Sequence, residues 1–282
     1  MRTIITNMND NMLDVWAESA RHWTKYSDTL HQMFVPLTRA LIERAGIRAG
    51  QTVLDVAGGA GEPSLTIAEV VGPIGSVTCT DGVAQMVEAA RANAERRGLT
   101  NMRFQQCAAD SLPFPDNSFD VVVSRMGVMF FPEPAFREML RVLRPKGRMA
   151  FAVWGKSDVN PFCYLVTRVM DQHVKSPAAD PDAPNAFRFA EPGKLVKVMH
   201  QAGAVDVEES IVNFDIEAPV SARQFWEIRS HTSDTLRDKL AKLPADEQSQ
   251  IADEIEQAVK EFFPSNQMKF PTQMLIATGN KP

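Results

Sequence analysis

Between residues 51 and 154, short apolar runs alternate with stretches of helical periodicity. Val53 and Leu54 end the first run, and further runs occupy residues 76–80, 103–110, 121–124 and 148–154. Runs of this length, bounded by glycine, proline and polar residues, read as buried strands. Between them Leu65, Ala68 and Glu69 recur at helical spacing, and Phe136, Met139, Leu140 and Leu143 fall at i, i+3, i+4 and i+7. The alternation predicts a parallel sheet with helices on both faces.

The flanks follow other patterns. Residues 1–10 are polar, whereas residues 12–29 carry Trp16, Ala20, Trp23 and Tyr26 on one helical face. A second helix is expected over residues 35–45, ending at Gly46. Downstream, residues 162–174 read as a helix, 176–185 as a proline- and aspartate-rich loop, and 192–203 as a helix closed by glycine. Strands are expected at 205–212 and 273–278. The intervening segment carries apolar stripes of its own: Phe225, Trp226 and Ile228, then Leu236, Leu240 and Leu243, then Ile251, Ile255, Ala258, Val259 and Phe262. The organisation read from this is an N-terminal helical cap (1–48), a core (49–215 and 271–282) and a helical insertion (216–270). The insertion is expected to be a lid over an acceptor site, with a homodimer contact or plain core covering as alternatives.

The candidate chemistry gathers where the first run ends. Val53-Leu-Asp-Val-Ala-Gly-Gly-Ala-Gly-Glu-Pro63 closes a strand with an acid, breaks into a glycine-rich turn and restarts as a helix. Gly58, Gly59 and Gly61 lack Cβ atoms, so the turn can take positive φ and a ligand can approach the main chain. Pro63 suits the first helical turn. The next strand ends at Asp81, twenty residues after Gly61, where a carboxylate can receive ribose hydroxyls.

These residues resemble the first motif of the class I S-adenosylmethionine-dependent methyltransferases, acid-x-Gly-x-Gly-x-Gly, with Ala57 in place of the usual first glycine. Asp81-Gly-Val-Ala-Gln-Met86 is close to the family's acid-x-Ser-x-x-Met, and Asp110-Ser-Leu-Pro-Phe-Pro-Asp-Asn-Ser-Phe-Asp120 to its acid-x-x-x-Leu-Pro-Phe-x-acid-x-Ser-Phe-Asp. The resemblance covers residues 45–155 and is nearest the quinone- and sterol-biosynthesis type. It implies a Rossmann-like, seven-stranded, mostly parallel α/β sheet with an antiparallel last strand. It implies S-adenosylmethionine as cofactor, with Asp55 and its loop at the amino-acid part, Asp81 at the ribose, Met86 on the adenine face and Asp110 by the adenine amino group. The cofactor-binding set so implied is Asp55, Ala57, Gly58, Gly59, Gly61, Asp81, Gly82, Met86, Ala109, Asp110, Ser111, Arg125 and Tyr26. Two other readings stay open: a nicotinamide-dependent oxidoreductase, whose fingerprint would need glycine where Ser64 stands, and a cofactor-binding partner protein without transfer activity.

Composition narrows the partners. A net charge of −5, with Lys and Arg scattered, disfavours nucleic acid and points to a small-molecule substrate. Cys79, Cys107 and Cys163 form no zinc-type spacing, so no metal is expected. No apolar run reaches 18 residues and no secretory leader is evident, so the expectation is a cytoplasmic protein with reduced thiols and no stable membrane insertion. The histidines at 22, 31, 173, 200 and 231 are the candidate bases, and none is singled out as catalytic. Phe130, Phe131, Met126, Met129 and Trp154 suggest an apolar or aromatic acceptor pocket, or else simply a cap on the core.

Overall fold

Val53, Leu54, Asp55 and Val56 are all buried because β1 (Thr52–Val56) has a hydrogen-bonded neighbour on each side. The computed structural model describes residues 8–175, 180 and 182–282, with side chains described from residue 13 onward. The other strands are β2 (Ser76–Asp81), β3 (Met102–Gln106), β4 (Phe119–Arg125), β5 (Leu143–Trp154), β6 (Val205–Ala218) and β7 (Met268–Asn280). They form one seven-stranded sheet in the order β3-β2-β1-β4-β5-β7-β6. β7 runs antiparallel to both of its neighbours, and the pairs from β3 through β5 are parallel. The strand order reverses between β1 and β4, which is where an open α/β sheet leaves a crevice beyond its carboxyl ends.

Helices cover the sheet. α1 (Met8–Lys25) and α2 (Ser27–Ala45) precede it, and α3 (Ser64–Val71), α4 (Ala84–Arg96) and α5 (Glu133–Val142) connect its first five strands. α6 (Pro161–His173) and α7 (Lys194–Gln201) follow β5, and α8 (Ala222–Thr232), α9 (Asp234–Leu240) and α10 (Ala245–Val259) lie between β6 and β7. α2 crosses β4 through β7, burying Leu30, Met33, Phe34, Leu37 and Leu41. The main core is continuous from this helix through the sheet to Phe136, Phe189 and Phe225.

Several boundaries differ from the sequence pattern. The helix expected over 12–29 stops at Lys25, because Tyr26 takes φ −101° and ψ 12° and a new helix starts at Ser27. That helix passes through Pro36, so the second helix begins well before 35. β6 continues to Ala218 and β7 begins at Met268, so the helical segment is shorter at both ends than 216–270. The reason is that β6 is the sheet edge, where polar side chains such as Asn213, Asp215 and Glu217 can face water without ending the strand. Residues 1–7, and part of the loop expected at 176–185, lie outside the described residues.

The insertion is welded to the core by aromatic rings. Phe225 of α8 lies 5.1 Å from Phe270 of β7 and 5.5 Å from Phe162 of α6, and Phe262 stacks on Phe270 at 4.8 Å. Contacts of this kind each add about 0.5–1.5 kcal/mol beyond the area they bury.

Candidate functional site

The backbone after β1 is shaped for close approach. Gly59 and Gly61 take φ of 55° and 118°, in the region that favours glycine. Gly58 has ordinary φ, but a Cβ there would sit 2.5 Å from Cys79 Sγ and 2.9 Å from Asp55 Oδ2. Ala57, the departure from the glycine pattern, itself takes φ 59°. Ala57 thus adopts the left-handed conformation directly, at a cost of about 1–2 kcal/mol. Met126, after β4 on the facing side, has φ 62°. Two left-handed side-chain-bearing residues thus flank the crevice, and strain of that kind persists where surrounding structure enforces it.

Asp81, at the end of β2, anchors the loop. Its Oδ2 accepts from Gly59 N–H at 3.0 Å and its Oδ1 from Val83 N–H at 2.9 Å. Burial pushes its carboxyl up, while the backbone N–H groups of Val83 and Gly59 favour the charged form. Asp55 sits behind the loop. Its Oδ2 accepts from the hydroxyl and N–H of Ser64, at 2.6 and 3.1 Å, and its Oδ1 is buried without a partner. Burial raises the Asp55 carboxyl to about 7, against the pull of Ser64 and Arg125.

Arg125 at the end of β4 is the central cation. It donates to Thr38 Oγ1 at 2.8 Å and to the Glu62 carbonyl at 3.2 Å, and its Nε is buried without a partner. Glu62 is nearly enclosed: Oε2 accepts from Thr66 at 2.8 Å, and Oε1 lies 2.8 Å from His31 Nδ1 and 2.9 Å from Arg97. Burial alone would raise the Glu62 carboxyl, but His31, Thr66 and Arg125 together bring it below the usual glutamate range.

Above the loop, α1 supplies an aromatic roof. Trp16 meets Phe130 edge-on at 5.4 Å and Trp23 at 6.0 Å. Met86 packs with Ala20 and Val83 beneath these rings. Trp23 Nε1 is buried and has no hydrogen-bond partner.

Of the sequence-predicted residues, Ala57, Gly58, Gly59, Asp81, Gly82, Met86, Ala109, Asp110 and Arg125 share the wall of this one crevice. Four do not join them. Asp55 lies behind the loop, and Gly61 faces protein: a Cβ there would come 2.8 Å from Leu65 and 3.4 Å from the Ala90 backbone. Ser111 is exposed one residue past the wall. Tyr26 turns away because α1 ends at it; its hydroxyl donates to Glu227 Oε1 at 2.6 Å and lies 2.9 Å from His231 Nδ1. Among the described residues, His31 is the one histidine on the wall. His22 stacks on His231 at 4.7 Å, His173 lies 2.7 Å from Glu254, and His200 faces the Ala204 carbonyl at 3.3 Å.

Sequence reasoning missed Glu62, Thr38 and Arg97. Glu62 adjoins the glycine motif, but its partners come from α2 and from the end of α4, and no local spacing signals that meeting. The insertion contributes nothing to the wall among the described residues; α8 reaches α1 through a Lys25–Glu227 ion pair of 2.9 Å and the His22–His231 stack. No group of three or more His, Cys, Asp or Glu side chains is arranged to hold a metal ion among the described residues. Likewise, no described helix is long and apolar enough to cross a membrane.

Residues 53–147 match a family model described as a methyltransferase domain. Over these residues the chain carries a methyltransferase domain. Two curated relatives are ubiquinone/menaquinone biosynthesis C-methyltransferases. That of Ectopseudomonas mendocina is 39% identical over 150 residues, 52% of this chain and 56% of the relative. That of Hahella chejuensis is 41% identical over 136 residues, 47% and 53% of the two chains. The chain thus spans about half the length of the curated relatives it matches. The solved structure of the Bacillus subtilis YcgJ protein shares the fold, with a TM-score of 0.56 at 24% identity over 86% of this chain and 97% of that one. The nicotinamide reading is set aside with this assignment.

The crevice suits S-adenosylmethionine, the cofactor that the sequence resemblance implies. No side chain stands on the main chain at Gly58 and Gly59, and the space a Cβ at Gly59 would fill is open, so a flat nucleoside can lie against it. The carboxylate oxygens of Asp81 retain lone pairs for further donors. The unpartnered Nε of Arg125 offers a donor to an anionic group.

Proposed function

We propose that this protein transfers the methyl group of S-adenosylmethionine to a hydroxylated aromatic small molecule by in-line displacement. The observation that carries the reading is the aromatic roof: Trp16, Trp23, Phe130 and Met126 line the same crevice as the glycine loop and Asp81. In this reading Ala57, Gly58, Gly59, Asp81, Gly82, Met86, Ala109, Asp110 and Arg125 hold the cofactor, and the rings of α1 and of residues 130–131 hold the acceptor.

When bound, the cofactor supplies a methyl group on a positively charged sulfur that departs as a neutral thioether. The protein contributes alignment and exclusion of water. The loop after β1 and the end of β4 fix one reactant, and the roof presses the other toward it. Such positioning lowers a barrier by up to about 7–11 kcal/mol in favourable systems. Asp81 holds the loop shut from within, so its carboxylate both shapes the cradle and faces the ligand.

The names of the curated relatives favour a ring-carbon acceptor of the hydroquinone kind. The acidic balance of the chain favours a small molecule over nucleic acid, and the three unpaired cysteines favour the cytoplasm. Because α8 touches α1, the insertion acts in this reading as a brace behind the roof rather than as the roof itself. Incubation with methyl-labelled S-adenosylmethionine and a panel of phenols, catechols and hydroquinones tests the reading. Label is expected in at least one aromatic product; labelling of none, with the cofactor bound, sinks it.

A further inference from the structure

His31 and Glu62 make a pair that the cofactor cradle does not require. His31 lies on α2 and Glu62 in the loop after β1, beside the crevice between β1 and β4. The imidazole Nδ1 is buried 2.8 Å from Glu62 Oε1, an ion-pair approach whose angles fall short of a hydrogen bond, and neither atom makes a hydrogen bond among the described residues. Glu62 in turn is fixed by Arg97, by the Thr66 hydroxyl and by its own carbonyl's bond from Arg125. A carboxylate facing Nδ1 favours the tautomer with its proton there, which leaves the Nε2 lone pair free. Nε2 makes no hydrogen bond among the described residues, and the ring lines the crevice.

The other groups within reach suit the task less well. Both oxygens of Asp81 hold backbone N–H groups, and Asp55 lies behind the loop. The Cys107 thiol is pushed up to about 11 by burial. The charged groups that share the crevice wall with His31 are Glu62, Arg97 and Arg96 at the end of α4, Asp28 on α2, which pairs with Arg96 at 2.7 Å, Asp81, Asp110 and Arg125.

Resting on the methyl-transfer reading above, we propose that His31 is the general base of the reaction, with Glu62 as its positioning residue. Nε2 of His31 takes the proton of the acceptor hydroxyl. The electron pair so released, on oxygen or delocalised to the adjacent ring carbon, forms the bond to the methyl carbon as the carbon–sulfur bond breaks and its pair stays on sulfur. Where carbon is methylated, the hydrogen on that carbon leaves afterwards as a proton to solvent and restores the ring. Glu62 stabilises the imidazolium that forms, which later returns its proton to solvent. General base catalysis of this type contributes roughly 10²–10⁴-fold.

The test uses the full chain with 4-nitrocatechol as both acceptor and chromophore. In wild type, the complex with S-adenosylhomocysteine and 4-nitrocatechol is expected to show the phenolate band at a pH where the free compound is mostly protonated. In His31→Gln that band is expected to disappear. Turnover is expected to fall about 100-fold, with acceptor KM and cofactor Kd within about threefold of wild type. In Glu62→Gln the fall is expected to be about 10-fold, again in kcat rather than KM. Retained cofactor binding shows that each variant is folded. No phenolate band in wild type overturns the proposal, as does undiminished turnover in His31→Gln, which leaves methyl transfer standing. A His31→Gln variant whose only defect is weaker cofactor binding also overturns it, because His31 would then belong to the cradle. Failure of wild type to methylate any aromatic acceptor removes both readings.

Discussion

Arg125 and Thr38 are joined by a hydrogen bond of 2.8 Å that spans 87 residues of chain and ties α2 to the end of β4. Thr38 is buried, so its hydroxyl sees no water that could take its place. Burial already works against the guanidinium charge, with Glu62 and Asp55 opposing that effect. Thr38→Val keeps the shape and removes the acceptor, leaving a buried donor unpaired at a cost of about 1–3 kcal/mol. Melting is expected to fall by a few degrees and cofactor affinity to weaken, and Thr38→Ser is expected to stay near wild type. Calorimetric melting and titration of the three proteins measure this. Equal behaviour of the Val and Ser variants would deny the hydrogen bond any role.

Ala57 occupies a conformation that glycine takes without penalty. A Cβ placed on Gly127 would come within 2.9 Å of the Ala57 Cβ, so the two loops already meet closely here. Ala57→Gly relieves the left-handed strain but loosens the unfolded chain, and the balance is expected to favour the folded state by about 0.5–1 kcal/mol. The expected rise in melting temperature is about 2 °C. A lower melting temperature in the variant would mean that the methyl packs better than its backbone costs.

The sheet was legible because its central strands are buried on both faces, which writes Val53-Leu54 and Val121-Val122-Val123 as unbroken apolar runs. The ends of β6 were not, since Asp215 and Glu217 at an edge look like loop residues until Lys269 is seen opposite them, at 3.1 and 2.8 Å. Within the site, the glycines and Asp81 were legible because backbone conformation and strand ends leave local marks. Tyr26 misled for a related reason: its spacing continues the Trp16–Trp23 face, but the helix breaks at that residue and the side chain swings to α8. Glu62, Thr38 and Arg97 depend on contacts between distant elements, and a sequence pattern carries no record of those.

The three cysteines differ in access. Cys79 and Cys163 are buried, whereas Cys107 is partly open and lines the crevice. Burial drives all three thiols up, Cys107 and Cys163 to about 11 and Cys79 well above its ordinary range. The thiolate is the reactive form, so iodoacetamide is expected to label the native protein slowly at neutral pH. Cys107 should react first, and S-adenosylhomocysteine should protect it. Peptide mass spectrometry of a labelling time course decides this. Faster reaction at Cys79, or no protection at Cys107, would contradict the placement of the crevice.

Asp55 makes stability depend on pH in an unusual direction. Its carboxyl moves from the ordinary 3.8 to about 7 because burial outweighs the Ser64 hydrogen bonds and the Arg125 charge. Between these values the folded protein keeps a proton that the unfolded chain has released. The folded state therefore binds more protons in that window, and this group's contribution to stability falls as pH rises through it. Below about pH 4 the contribution is fully present, and above about pH 7 it is gone. Asp55→Asn cannot titrate, so the unfolding free energy of wild type minus that of the variant should decline across the window. The full span is on the order of 4 kcal/mol, an upper figure because buried groups gain relief from local relaxation. Urea unfolding of both proteins at half-unit pH steps provides the difference directly, with titration of every unchanged group cancelling. A difference that stays level from pH 4 to 7 would show that the carboxyl binds its proton equally in both states, and one that rises would show a carboxylate stabilised as the anion behind the glycine loop.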